Sequence, residues 1–200
     1  MLKKLCRKYG ACKADNKLSK HYLKVYEHHF NAIREKSLKI LEIGVQGGGS
    51  LRMWADYFPN SNITGVDVDK RCRKHAKGRI EIVIGDQANT KFLDQLDNYD
   101  IIIDDGGHTM VQQKTSLRCL WKHLNPNGIY AIEDLGTSYW PKFGGGKGKE
   151  TTIEHLKNLV DNLNYASIDH ARAEEDRKSC KNIGLMSIHF YPLICFLYHE

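Results

Sequence analysis

The stretch IIIDDGGHT, residues 101–109, carries an apolar run directly into two aspartates, two glycines and a histidine. A second run, YAIED at 130–134, stops in the same manner on Glu133 and Asp134. Asp and Gly are turn residues, and a turn alone accounts for the first stretch. The same residue types at the mouth of a sheet also make a metal-and-base site. Carboxylate oxygens suit a hard cation such as magnesium, and an imidazole with an ordinary pKa near 6.5 takes up a proton at neutral pH. Zinc is not indicated, because its sites want Cys or His at ligand spacing and the six cysteines form no CxxC. Adjacent acids at a strand end point to opposite faces, so one member of the Asp104 and Asp105 doublet is expected to ligate; periodicity does not choose between them.

A third chemistry-bearing stretch is LEIGVQGGGS, residues 41–50. Its glycines let the backbone turn tightly and approach a ligand, and the helix start behind them offers free N–H groups. Nicotinamide, flavin and S-adenosylmethionine (SAM) binders all use such loops. The spacing G-x-x-G-G-G is not the dinucleotide fingerprint, and KFGGGKGKE at 142–150 is not a phosphate loop, since Phe143 stands where its first glycine belongs. Around the loop, Gly44, Gly47 and Ser50 are candidates to touch a cofactor. Glu42 either holds the loop or meets a cationic amino-acid moiety. Asp67 is placed to bind ribose hydroxyls, against a turn or cap role. Asp86 with Gln87 is placed to read an adenine amino group. Tyr139 and Trp140 either stack on a sugar ring or pack as a local core. Among the other histidines, His28, His29 and His189 are weaker candidates for chemistry.

These residues need a scaffold, and the chain alternates strand and helix patterns that supply one. Residues 18–36 show helical spacing of apolar positions ahead of the main domain. Apolar runs at 38–44, 62–69, 79–86, 99–105 and 128–134 read as five strands. Between them the patterns predict helices over about 50–58, a basic helix after 69, and helices over 89–97 and 110–124. NPNG at 125–128 reads as the turn before strand five. Such alternation implies a mainly parallel sheet covered on both faces, an α/β sandwich of the doubly wound, Rossmann-like type. Ligands bind beyond the carboxyl ends of its strands, and these five end on Gly44, Asp67, Asp86, Asp105 and Asp134. Residues 135–150 form a long aromatic and glycine-rich loop, followed by a helix over 151–165. A charged connection reaches about Lys181, and 183–191 with 193–200 pair as an antiparallel hairpin hinged at Pro192. The organisation expected is an N-terminal helical cap over 1–36 and one compact domain over 37–200.

Composition bounds the rest. Two hundred residues with 41% hydrophobic and 27% charged side chains describe an ordinary globular domain. No apolar run approaches the roughly 18–20 residues of a bilayer span, and the basic start MLKKLCRKYG does not read as a signal peptide. A cytoplasmic location and free thiols are the expectations. The net charge of +6 gathers partly in the N-terminal segment and in RCRKHAKGR at 71–79; such a face is ordinarily solvated, and nucleic acid is not the expected partner.

Glu-x-Gly in the first loop, Asp67, GDQ at 85–87 and a terminal hairpin resemble the class I SAM-dependent methyltransferases. More narrowly, YG…K at 9–13, KHYLKVYE, LEIGVQGGGSL, IIIDDGGHT, YAIEDL, TSYW and SIHFYP resemble the metal-dependent sugar O-methyltransferases, which act on deoxysugars such as rhamnose in macrolides and related products. The likeness runs in order along nearly the whole chain; the first loop departs from the ExGxGxG spacing of many methyltransferases. It implies Mg2+ (or Mn2+) held by Asp105, Glu133 and Asp134, His108 as general base, and Tyr9 and Gly10 closing over SAM. Asp104 is then left to face the cofactor or brace the loop. The implied acceptor is a hydroxyl of a rhamnose-like sugar in a glycan or glycoside. Alternatives are a catechol or phenol O-methyltransferase and a non-catalytic nucleotide- or RNA-binding domain on the same fold. A homo-oligomer and covalent neighbour domains in a longer protein are both compatible with this reading.

Overall fold

The structure is a computed structural model describing residues 1–11, 21–165 and 183–200. Seven strands form one sheet: β1 (Lys39–Ile43), β2 (Asn62–Asp67), β3 (Ile80–Ile84), β4 (Tyr99–Asp104), β5 (Leu124–Ile132), β6 (Leu185–Tyr191) and β7 (Ile194–His199). Their order is β3-β2-β1-β4-β5-β7-β6. Strands β1 to β5 are parallel; β7 runs antiparallel to β5, and β6 antiparallel to β7. The helices are α1 (Leu2–Tyr9), α2 (Tyr22–Phe30), α3 (Gly49–Tyr57), α4 (Thr90–Leu93), α5 (Met110–Leu120) and α6 (Thr152–Tyr165).

Residues on each strand alternate between two cores, as the two-residue period of a strand requires. Ile40, Ile101, Ile103 and Phe196 face one side, where α1, α2 and α3 bring Leu2, Tyr26, Trp54 and Phe58. Leu41, Ile43, Ile102, Tyr130 and Ile132 face the other, against Leu117, Leu120 and Leu156 of α5 and α6. The N-terminal helices therefore bury their side chains in the main core. Cys72, Cys119 and Cys195 are free and buried, and Cys6 is buried; Cys12 and Cys180 lie outside the described residues.

Several local expectations are corrected. The predicted helix over 18–36 is α2 and a single 3-10 turn, Asn31–Ile33, with 18–20 outside the described residues. The helix α1 falls inside the N-terminal helical cap read over 1–36, ahead of the one helix whose apolar spacing marks it there. The basic helix after β2 is a 3-10 segment, Lys70–His75, begun by Asp69, whose carboxylate accepts from the Arg71 N–H. The helix predicted over 89–97 is the one turn α4, capped by Asn89. The helix predicted over 110–124 stops as α-helix at Leu120 and continues as a 3-10 turn, Trp121–His123. NPNG lies inside β5: Tyr99 pairs with Leu124 and Ile101 with Ile129, so the extra residues bulge out, with Asn127 left-handed at φ 61°.

The sheet reverses its winding at β1, which lies between β2 and β4, and the crevice beyond these carboxyl ends is where ligands of such sheets bind. Backbone bonds continue the ladder past the strand ends: Gly85 N to Asp67 O, Gly44 N to Val66 O, Asp105 N to Ile43 O and Glu133 N to Asp104 O, all 2.8–3.0 Å. Four strands thus deliver Asp67, Gly44, Asp105 and Glu133 side by side along one edge.

Candidate active site

A cavity of about 720 Å³ opens along that edge. Its walls include Tyr9, Gly10, Gly44, Gly47, Ser50, Asp67, Asp86, Gln87, Asp105, His108, Glu133 and Asp134, which brings together most of the site residues read from sequence. Glu42 and Asp104 stand behind the wall, and Tyr139 and Trp140 lie outside it, exposed on the loop after β5.

The glycine loop is built for close approach. Gly44 takes φ 95°, and a Cβ there would fall 2.2 Å from the Asp105 carbonyl oxygen, so β1 and β4 can converge only on glycine. A Cβ on Gly47, which borders the cavity, would by contrast meet nothing within 4 Å. The end of α1 folds over the loop: Gly10 closes α1 in left-handed geometry, and Tyr9 O lies 2.8 Å from where a Gly49 Cβ would be. The Tyr9 hydroxyl itself donates to Asp56, away from the cavity.

The carboxylate of Asp67 accepts from the N–H groups of Val45 and Gln46 at 2.9 and 3.0 Å, and from Asp69 N at 2.9 Å. Burial raises this carboxyl, but the three backbone donors outweigh it and hold the group below the ordinary aspartate value. Asp67 therefore pins the glycine loop while lining the cavity. Glu42 is fully buried and accepts from Trp54 Nε1 of α3 at 3.3 Å. Asp86 accepts from Ala88 N within its own turn.

The amide of Gln87, expected to meet adenine, is engaged inside the protein. Its Nε2 donates to Asp104 Oδ1 and Ser116 Oγ at 3.1 and 2.9 Å, and its Oε1 accepts from Gly107 N at 2.7 Å. Both amide protons are used, so Gln87 braces the turn after β4. Asp104 is its fully buried counterpart; burial pushes this carboxyl up to about 6, against hydrogen bonds from Gln87 and Ser116. Within the doublet, Asp104 braces and Asp105 faces the cavity.

The turn at Gly106 and Gly107 returns the chain so that His108, at φ 58°, precedes the Thr109 capping box of α5. His108 Nε2 lies 4.0 Å from Asp105 Oδ1 and 3.5 Å from Asp134 Oδ2. Its Nδ1 is buried without a hydrogen-bond partner among the described residues. Asp105, His108 and Asp134 present ligand atoms all within 4.8 Å of one another, the one such cluster among the described residues. Two carboxylates beside an imidazole suit a hard divalent cation. Glu133 borders the same cavity but stands outside that cluster, its Oε1 accepting from the Tyr26 hydroxyl at 2.7 Å. The Tyr22 hydroxyl meets Asp134 Oδ1 at 2.9 Å and accepts from Asp134 N at 3.2 Å.

Sequence reasoning missed Tyr22 and Tyr26, because both sit in the apolar stripe of α2 and count there as core. The available signal is two hydroxyl-bearing rings four residues apart on a buried face, each in need of an acceptor.

Strand order and site together define the fold of a class I methyltransferase. A family model described as "Methyltransferase domain" matches residues 41–135 of the chain. It is 36% identical over 189 residues to the 8-demethyl-8-alpha-L-rhamnosyl tetracenomycin-C 2'-O-methyltransferase of Streptomyces olivaceus, covering 88% of this chain and 49% of that protein. It is 34% identical to the mycinamicin VI 2''-O-methyltransferase of Micromonospora griseorubida, covering 86% and 47%. A solved structure of the MycE methyltransferase of mycinamycin biosynthesis, in complex with Mg and SAH, matches with a TM-score of 0.88 at 32% identity, over 99% of this chain and 53% of that one. The chain thus spans about half the length of the relatives it matches. The structure of "a putative caffeoyl-CoA O-methyltransferase from Staphylococcus aureus" shares the fold at 12% identity and a TM-score of 0.58. No helix among the described residues is long and apolar enough to cross a membrane.

Proposed function

We propose that the chain is the catalytic domain of a metal-dependent O-methyltransferase that moves a methyl group from SAM to a hydroxyl of a deoxysugar in a glycan or glycoside. The observation that carries this reading is the meeting of Asp105, His108 and Asp134 at the mouth of a cavity floored by the glycine loop. The likeness to rhamnosyl and macrolide O-methyltransferases supports the acceptor class, and the Mg and SAH of the MycE structure support the cofactors. The reading places the domain in the cytoplasm.

A cavity of about 720 Å³ is of the size that holds a small-molecule cofactor. Gly44, Gly47 and Ser50 give SAM a close-fitting backbone, with Asp67 and Asp86 at the ribose and adenine end and the 9–11 segment over it. Asp105, Asp134 and Glu133 would hold Mg2+, which would supply Lewis acidity and make a sugar hydroxyl beside it easier to deprotonate. His108 stands beside both aspartates and takes the hydroxyl proton on Nε2. The brace from Gln87 and Asp104 fixes where that nitrogen points. Tyr139 and Trp140 present exposed rings to the acceptor sugar. The experiment is methyl transfer to a demethylated rhamnoside or macrolide glycoside with labelled SAM, with Mg2+ and with EDTA. Turnover that requires Mg2+ and a sugar hydroxyl bears the reading out; full activity in EDTA removes the metal.

A further inference from the structure

The two acids after β5 each meet a tyrosine hydroxyl from the same helix. Tyr22 and Tyr26 lie one turn apart on α2, so both hydroxyls leave the same face. Tyr26 reaches Glu133 at 2.7 Å and Tyr22 reaches Asp134 at 2.9 Å, across 107 and 112 residues of chain. Both rings are fully buried, and Tyr26 is wedged edge-on between Trp54 and Phe196 at 5.0 and 5.3 Å, so its hydroxyl has one direction open to it.

Packing alone does not ask for these hydroxyls, since phenylalanine fills the same volume without a polar atom to satisfy. The Tyr26 hydroxyl donates to Glu133 Oε1, and the Tyr22 hydroxyl proton faces both Asp134 Oδ1 and the Leu193 carbonyl oxygen at 3.0 Å. The Tyr22 hydroxyl also accepts from Asp134 N at 3.2 Å, and Asp134 is left-handed at φ 56°. One hydroxyl thus holds both the side chain and the uncommon backbone conformation that turns Asp134 back to the cavity. The helix is itself anchored to the terminal hairpin: His21 meets the Pro192 carbonyl, and His29 meets the hydroxyls of Tyr191 and Tyr198.

We propose that Tyr22 and Tyr26 are positioning residues for the metal centre, holding Asp134 and Glu133 in the orientation in which they take a divalent cation. This rests on the metal reading above. A carboxylate has about four acceptor sites, so accepting from a tyrosine leaves it able to ligate. Groups that orient metal ligands from behind commonly change affinity by about 10- to 100-fold when removed.

The test is Mn2+ binding to the full chain, read by electron paramagnetic resonance in the presence of SAH, with thermal melting as the check on folding. Tyr26→Phe and Tyr22→Phe are expected to weaken Mn2+ binding by about tenfold or more while SAH affinity stays within about threefold. Glu133→Gln is the reference for the metal reading itself. If Glu133→Gln weakens Mn2+ binding and both folded tyrosine variants bind it as the parent does, the positioning role is overturned and the metal site stands. If Glu133→Gln also binds Mn2+ unchanged, Glu133 is no ligand and the inference falls with it. Should Tyr26→Phe not fold, Tyr22→Phe, at the cavity wall, decides alone by the same readout.

Discussion

His108 Nε2 lies 3.5 Å from Asp134 Oδ2, and both residues hold left-handed backbone, at φ 58° and 56°. Few non-glycine residues adopt that region, and each pays on the order of 1–2 kcal/mol for it. The two strained residues face each other across the mouth of one cavity, which is where such strain serves a site. Asparagine tolerates the left-handed region better than alanine. His108→Asn should therefore keep the melting temperature and SAH affinity while turnover falls about 10²- to 10⁴-fold, the usual worth of a positioned base. Initial rates across pH check the assignment: an unchanged pH–rate profile in the variant would show that the proton leaves by another route.

Gln87 locks the turn that aims His108. A Cβ on Gly106 would fall 1.9 Å from its Oε1, so the two are fitted to one another. Gln87→Ala leaves Gly107 N and Asp104 without this partner, at about 1–3 kcal/mol for the buried Asp104 carboxyl. The variant should lose stability and about 10- to 100-fold in kcat, because a misplacement of about 1 Å is that costly, with SAH affinity nearly unchanged. A large loss of SAH affinity with normal kcat would return Gln87 to the adenine-reading role.

The sheet is legible in the chain because each strand is a short apolar run and each parallel crossover leaves a helix pattern between runs. The acids are legible because they stop those runs: Asp67, Asp105 and Glu133 fall where the ladder ends. The brace was not legible. Gln87 reads as a ligand-facing residue by its place after β3, and only the register of β3, β1 and β4 shows its amide spanning to Gly107 and Ser116. Nor does any pattern reveal positive φ at His108 or Asp134, since neither is glycine. The helix expected over 89–97 failed for a local reason: Asn89 starts a helix whose first turn is followed by a bonded turn at 93–96.

His29 couples α2 to the terminal hairpin and makes that coupling sensitive to acid. Its ring stacks on Phe196 at 4.0 Å, both nitrogens meet tyrosine hydroxyls, and His28 and His189 stand 5.1 and 5.4 Å away. Burial first, then the two neighbouring histidines, lowers its pKa from 6.5 to about 4. Between those values the unfolded chain binds the proton and the folded one does not, so stability is complete above pH 6.5 and is lost as pH falls toward 4. The loss amounts to about 1–2 kcal/mol by pH 5 after allowance for solvent screening. Urea unfolding at pH 7.5 and 5.0 should show this difference in the parent and a smaller one in His29→Gln. Equal acid sensitivity in both would place the effect elsewhere.

Tyr139 and Trp140 end the 3-10 segment that Asp134 begins, and Thr137 ties the segment to the site by donating to the His108 and Asp134 carbonyls at 3.0 and 2.9 Å. The two rings nevertheless stay 67% and 51% exposed, and Trp140 leans on Phe143 at 5.8 Å. Exposed aromatics on a loop tied to the cavity mouth contribute little to folding and leave a face open to a ligand ring. Trp140→Ala should leave the melting temperature within about 2 °C, because exposed positions rarely move stability by more than about 0.5 kcal/mol. Removing a stacking face worth about 1 kcal/mol should raise the acceptor KM about fivefold with kcat unchanged, the pattern of an interaction made equally in ground and transition states. SAM KM is the internal control, and it should not move. A fall in kcat with acceptor KM constant would instead make the loop part of the machinery that positions His108 and Asp134.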